Sequence, residues 1–388
     1  MFPYVSYIII LIYFIHIIEP KMSMNQFFPP NDILSNKQIP LLPSHLKIGY
    51  ASWNQCDDKI FTSIQQGLNV IIWFSIDLST DPQTNKPIIT RGPNYEDVAK
   101  MIYKIKQNGY NNIIHLISIG GWNSPHPSTN HTATEYMDTW LNFNRNISKP
   151  EYDFYGFDGF DWDIEGNDDF NSNSNHFTIK ELDIMGELSV LAKQKGYIVS
   201  LAPAESYLDY TTSEFSLSLL YNHNEWINEV PNFNYHGRNT YTYLIKKYGI
   251  NVFDFISIQL YEGYTHTLYK YKRQGIKFGK ILEEIIINLT KGYEVDFTKV
   301  KESGLNKEII TIPNEKIVIG LANAWADKQF LFVNKDDLIE AFDYLKINNI
   351  KCKGIMFWDL KDEGMIHIND GTKTPFYMAE VINSIYPN

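Results

Sequence analysis

Tyr155-Gly156-Phe157-Asp158-Gly159-Phe160-Asp161-Trp162-Asp163-Ile164-Glu165-Gly166 sets regularly spaced carboxylates among large apolar side chains. Successive strand residues point to opposite faces, so Asp161, Asp163 and Glu165 share one face while Phe160, Trp162 and Ile164 share the other. So apolar a face has to meet packed helices, which leaves the three acids pointing into the interior of a closed sheet. Desolvation and mutual repulsion make simultaneous ionisation of such a column costly, so its members share protons. Glu165, the outermost, is then fit to act as an acid near neutral pH. Asp158 lies on the apolar side by alternation and is read as structural. Two other readings stand beside this one: acids solvated or salt-bridged on an edge strand, and a divalent-metal site. The apolar opposite face argues against the first, and the lack of a nearby His or Asn to complete a ligand shell argues against the second.

Working outward from this fourth run (156–165), similar β-rich runs occupy 46–52, 68–76, 112–119, 197–202, 253–261, 316–322 and 352–358. Near-continuous hydrophobicity is the mark of strands buried on both faces, and segments of helical period at 95–107, 179–195, 279–290 and 335–348 fill the intervals. Eight such units predict an α/β fold, a (β/α)8 TIM barrel, over a doubly wound sheet. No internal repeat and no Gly/Ser-rich linker interrupts 46–388, which is read as one catalytic barrel. Reactive groups of such barrels gather at the C-terminal ends of the strands. Cys56 follows the first strand and Cys352 opens the eighth, so their thiols fall at opposite ends and no disulfide is expected.

The chain carries a formal net charge of -11 and no dense Lys/Arg run, a poor match for nucleic acid or an anionic membrane surface. A neutral partner fits better, and the 15% aromatic content supplies flat faces for sugar rings as well as for the core. Residues 5–18 form an uncharged apolar run the length of a signal-peptide core, so 1–22 is read as a signal peptide or hydrophobic anchor and the protein as secreted. A membrane association follows only if that segment is retained. Residues 23–45 read as an irregular leader. Asn130-His131-Thr132, Asn146-Ile147-Ser148 and Asn288-Leu289-Thr290 fit the N-glycosylation acceptor pattern of that route.

Asp158-Gly159-Phe160-Asp161-Trp162-Asp163-Ile164-Glu165 resembles the DxxDxDxE signature of the family 18 glycoside hydrolases, the chitinases and their relatives. Ser118-Ile119-Gly120-Gly121-Trp122 resembles that family's SxGG motif, and Gln259-Leu260-Tyr261 its Gln-x-Tyr. The resemblance extends from Ile48 to Trp358. It implies catalytic roles for Glu165, Asp163, Asp161 and Tyr261. It further implies substrate contacts from Gln259, Ser118, Gly120, Gly121 and Trp122, with Trp358 as the floor beneath a distorted sugar and Tyr50 and Phe74 lining the same pocket. No metal or cofactor is implied. Ala202-Pro203-Ala204-Glu205 departs from the pattern, because many relatives carry Gln or Glu at the place of Ala204. This leaves open whether Glu205 takes over that contact.

The chemistry implied is hydrolysis of β-1,4-linked N-acetylglucosamine polymers by substrate-assisted retention, in which the sugar's own acetamide is the nucleophile. Glu165 protonates the glycosidic oxygen and later activates water, Asp163 orients the acetamide N–H, Asp161 exchanges a proton below it, and Tyr261 fixes the acetamide oxygen. Two other functions fit the same resemblance: a chitin-binding lectin and an endo-β-N-acetylglucosaminidase acting on N-glycans. The lectins of the family usually lack the terminal acid. Tyr207, Tyr210, Tyr221, Trp226, Phe233, Tyr235 and Tyr241, between 205 and 249, either extend a sugar groove or fold upon themselves. Between Asn323 and Asp336 there is no room for an added α/β insertion, which favours a shallow groove and internal cleavage.

Overall fold

A computed structural model describes residues 39–219, 238–327, 329–367 and 373–387. In chain order the strands are β1 (Leu46–Ala51), β2 (Val70–Thr80), β3 (Pro87–Arg91), β4 (Ile114–Gly121), β5 (Gly159–Ile164), β6 (Ile198–Leu201), β7 (Phe255–Gln259), β8 (Tyr293–Asp296), β9 (Lys307–Ile310), β10 (Ile317–Ala322) and β11 (Gly354–Trp358). The parallel ladder runs β1, β2, β4, β5, β6, β7, β10, β11 and returns to β1, where Gly49 pairs with Phe357 of β11 on one side and Tyr50 pairs with Ile72 of β2 on the other. This is the closed eight-stranded (β/α)8 barrel expected from the apolar runs.

The helices are α1 (Asp58–Gln65), α2 (Tyr95–Gln107), α3 (Ala133–Asn146), α4 (Ile179–Gln194), α5 (Thr242–Tyr248), the short α6 (His266–Leu268), α7 (Phe278–Lys291), α8 (Lys335–Ile347) and α9 (Met378–Ile385). Their starts are written locally. Thr132 and Thr178 cap α3 and α4 in reciprocal capping boxes with Glu135 and Glu181, and the Asn94 side chain accepts from the first-turn N–H groups of α2. Along α2 the buried Val98, Ala99, Met101, Ile102 and Ile105 recur at helical spacing, which is the face turned to the sheet.

Packing separates into two apolar layers. Leu46, Ile48, Tyr50, Val70, Ile72, Phe74, Leu116 and Val318 fill the barrel lumen, while Phe160, Trp162 and Ile164 join the layer between strands and helices. Trp162 is accommodated there because its indole N–H donates to Ser189 of α4 at 2.8 Å. Ile39 and Leu42, from the segment read as irregular, pack against the lumenal cluster.

Two features depart from the sequence reading. β2 continues past residue 76 and folds back as the antiparallel β3 through a turn in which Asp81 accepts from the N–H groups of Gln83 and Thr84. A second hairpin, β8–β9, is inserted between α7 and β10. Both cysteines are free. The segments at 1–22 and 23–38 lie outside the described residues; among the described ones no helix is long and apolar enough to cross a membrane.

Candidate active site

Strand alternation carries the acids of β5 inward and upward. Asp161, fully buried, accepts the Tyr50 hydroxyl at 2.6 Å from β1 and the Ser200 hydroxyl at 2.5 Å from β6. Asp163 accepts the Gln259 amide N–H at 2.8 Å, and the same nitrogen stands 3.5 Å from Glu165 and 2.8 Å from the Ala202 carbonyl. Tyr261 donates to the Gln259 carbonyl oxygen at 2.9 Å, so Gln259 ties the two upper acids to the tyrosine. Ser118 on β4 pairs in register with Asp161, and Gly120 with Asp163.

The end of β5 is pinned from outside. Tyr241 accepts from the Ile164 N–H at 2.9 Å and donates to its carbonyl at 3.1 Å, and His126 Nε2 lies 2.9 Å from the Glu165 carbonyl. Asp158 lies beside β4, where its carboxylate accepts the His115 N–H at 2.8 Å and fixes the entry into β5.

Burial governs the charges. Asp161 is pushed up to about 6 by desolvation, which its two hydroxyl donors offset only partly. Asp163 is driven well above the usual carboxylate range by desolvation, by the charges of Glu165 and Asp161, and by donating its own proton to Glu165. Glu165 is pushed up to about 7 by desolvation, against the opposing bonds from Asp163 and Gln259. Asp163 and Glu165 thus share a proton, with Asp163 donating to Glu165.

Above the acids opens a cleft of about 210 Å³ lined by Trp53, Phe74, Trp122, Asp163, Glu165, Gln259, Tyr261, Glu262, Trp325, Phe330 and Trp358. Trp358, at the end of β11, is half-buried with its ring 4.8 Å from that of Phe74 and 5.7 Å from that of Tyr50. Tyr50 lies lower, beside Asp161, and does not line the cleft. The paired glycines explain themselves sterically: both have positive φ, and a Cβ on Gly121 would stand 2.1 Å from the Phe74 ring while one on Gly120 would stand 2.8 Å from the Asp163 carbonyl. Trp122 is held by donation to Asp168 at 3.0 Å. Larger cavities, such as the one lined by Phe342, Cys352 and Tyr386, contain none of the three acids.

Glu205 does not reach the cleft. It is buried beside the first turn of α6, accepting the Thr267 N–H at 3.3 Å, and desolvation pushes it up to about 8. Tyr207 and Tyr241 are also buried, so these two fold inward; Tyr221, Trp226, Phe233 and Tyr235 lie outside the described residues. Sequence reasoning missed Trp53, Trp325, Phe330 and Glu262, which sit on loops after β1, β10 and β7. Glu262 alone had a signal, its place directly after Gln259-Leu260-Tyr261. Among the described residues no group of three or more His, Cys, Asp or Glu side chains is arranged to hold a metal ion.

No family model matches the chain, and no curated protein matches it in sequence. Solved structures do match. A family 18 chitinase from Chromobacterium violaceum aligns over 82% of this chain and 80% of its own at 14% identity and TM-score 0.53. The C-terminal domain of Legionella pneumophila ChiA aligns over 81% and 92% at 17% identity and TM-score 0.52. A fungal endo-beta-N-acetylglucosaminidase from glycosyl hydrolase family 18 aligns over 88% and 97% at 15% identity and TM-score 0.51. At these identities the likeness is one of fold, and that fold is the (β/α)8 barrel expected from the eight apolar runs.

Proposed function

We propose that this chain is a family 18 glycoside hydrolase, a chitinase that cleaves β-1,4-linked N-acetylglucosamine polymers by substrate-assisted retention. The observation that carries the reading is the buried column Asp161–Asp163–Glu165 rising beneath an aromatic cleft, with Gln259 joining its upper acids to Tyr261. A sugar seated over Trp358 presents its glycosidic oxygen to Glu165, which donates a proton while the 2-acetamido carbonyl attacks C1. The leaving sugar departs with that proton and an oxazolinium ion is left behind. Asp163, turning from Glu165 to the acetamide N–H, accepts from it and stabilises the positive charge; Asp161 takes part in the proton exchange below. Glu165, now ionised, removes a proton from water, which opens the oxazolinium and regenerates the acid.

The loop between β10 and α8 is short and, among the described residues, adds Trp325 and Phe330 to the wall, which supports a shallow groove and internal cleavage. Secretion belongs to the same proposal, and two of the glycosylation acceptors, Asn130 and Asn146, are exposed. The deciding experiment offers the purified protein a fluorogenic chito-oligosaccharide, the fully deacetylated oligomer and an N-glycosylated protein. Turnover of the first alone is expected. Glycan release without chito-oligosaccharide turnover would replace this reading by the endo-β-N-acetylglucosaminidase one, and binding without turnover by the lectin.

A further inference from the structure

Glu262 follows Tyr261 and lines the cleft, and the reaction just described gives it no task. It lines the same cavity as Asp163 and Glu165, but it is only partly buried, whereas those two are 5% and 6% exposed. The other acids near the rim have donors: Asp163 has Gln259, Asp168 has Trp122 and Asn123, and Glu205 has the Thr267 N–H. Among the described residues no side-chain hydrogen bond engages the Glu262 carboxyl. The charged groups facing it are Glu165 and Asp163, both acids, with the Tyr261 hydroxyl adjacent. Among the described residues no Lys or Arg lines the cleft. Among the described residues, three carboxyls thus share a poorly solvated space without a cation, and a positive or proton-sharing group arriving with the substrate would relieve their repulsion.

We propose that Glu262 pairs with the free amine of a glucosamine unit flanking the sugar that is cleaved, so that partially N-deacetylated N-acetylglucosamine polymers are the preferred substrate. The inference rests on the function proposed above, because the cleaved sugar must keep its acetamide. A free amine at the flanking position holds a single proton between itself and the carboxyl, a short charge-assisted contact that an acetylated nitrogen cannot make.

The test compares kcat/KM on defined oligomers that are fully acetylated with oligomers that carry one glucosamine, for the wild type and for Glu262→Gln and Glu262→Asp. Wild type should favour the glucosamine-containing oligomer, Glu262→Gln should lower that ratio about tenfold, and Glu262→Asp should restore part of it. A general loss of folding or of acid catalysis lowers both rates together and leaves the ratio in place. Should the variants fail to fold, sequencing wild-type products from a partially deacetylated polymer gives an independent answer, with glucosamine enriched beside the cut. An unchanged ratio in Glu262→Gln, or glucosamine placed at random around the cut, overturns the role of Glu262 and leaves the chitinase reading intact. No cleavage of any N-acetylglucosamine oligomer by the wild type would remove both.

Discussion

In the proposed reaction Glu165 works as an acid only while it holds a proton, and its burial moves that proton's loss from the ordinary glutamate range up to about 7. The acid form is lost as pH rises, so kcat/KM should hold level up to pH 7 or beyond and then fall tenfold per unit. A pH–rate profile on a chito-oligosaccharide checks this; an alkaline limb near pH 5 would mean that Glu165 is solvated during catalysis. At this scale the motif made the column legible, since alternation alone puts Asp161, Asp163 and Glu165 on one face. The distribution of protons was not legible, because it depends on donors brought from β1, β6 and β7 by the fold: Tyr50 and Ser200 for Asp161, Gln259 for the upper pair. The Glu205 question was equally tertiary, since only the position of α6 decides that this carboxyl turns away from the cleft.

The strand that ends in Ser118-Ile119-Gly120-Gly121 shows how an element shapes the site without touching the reaction. Gly121 leaves the space that Phe74 occupies from β2, and Phe74 in turn packs against Trp358. Gly121→Ala should therefore displace the Phe74 ring and with it the cleft wall. We expect a loss of stability on the order of 1–3 kcal/mol from the strained backbone and overpacking, together with a raised KM; thermal unfolding and steady-state kinetics measure the two parts. A variant with unchanged stability and KM would show that the wall tolerates the change. Strand positions were readable because doubly buried strands are nearly continuous in hydrophobicity, and α2 and α8 begin where their periods begin. The hairpins were not: residues 77–91 alternate weakly and include Pro82 and Pro87, so β3 owes its existence to pairing with β2.

Across the molecule, the same direction of proton binding recurs. Asp161, Asp163, Glu165, Glu205 and Glu262 all hold protons more tightly when folded than in an ordinary carboxyl, because burial penalises their charge. Each therefore adds stability that is complete below the unfolded range near 4 and is lost as pH rises through the folded value, between about 6 and 8 for those other than Asp163. The melting temperature should fall between pH 5 and pH 8.5. Glu205→Gln, away from the cleft, should reduce that fall by recovering on the order of a few kcal/mol at pH 8.5; thermal denaturation across pH reads both. A wild-type melting temperature that rises over this interval would contradict the assignment of buried, protonated carboxyls. The barrel itself was legible from eight apolar runs, whereas the cleft's Trp53, Trp325 and Phe330 come from loops whose closure no local pattern encodes.

The most direct test of the account is turnover by Glu165→Gln on a chito-oligosaccharide, measured beside its binding by calorimetry. Gln keeps the shape and the contact with Gln259 but cannot donate the proton to the leaving oxygen. We predict a fall in kcat of at least 10²–10⁴-fold with the oligosaccharide still bound; kcat within a few-fold of the wild type would contradict Glu165 as the acid.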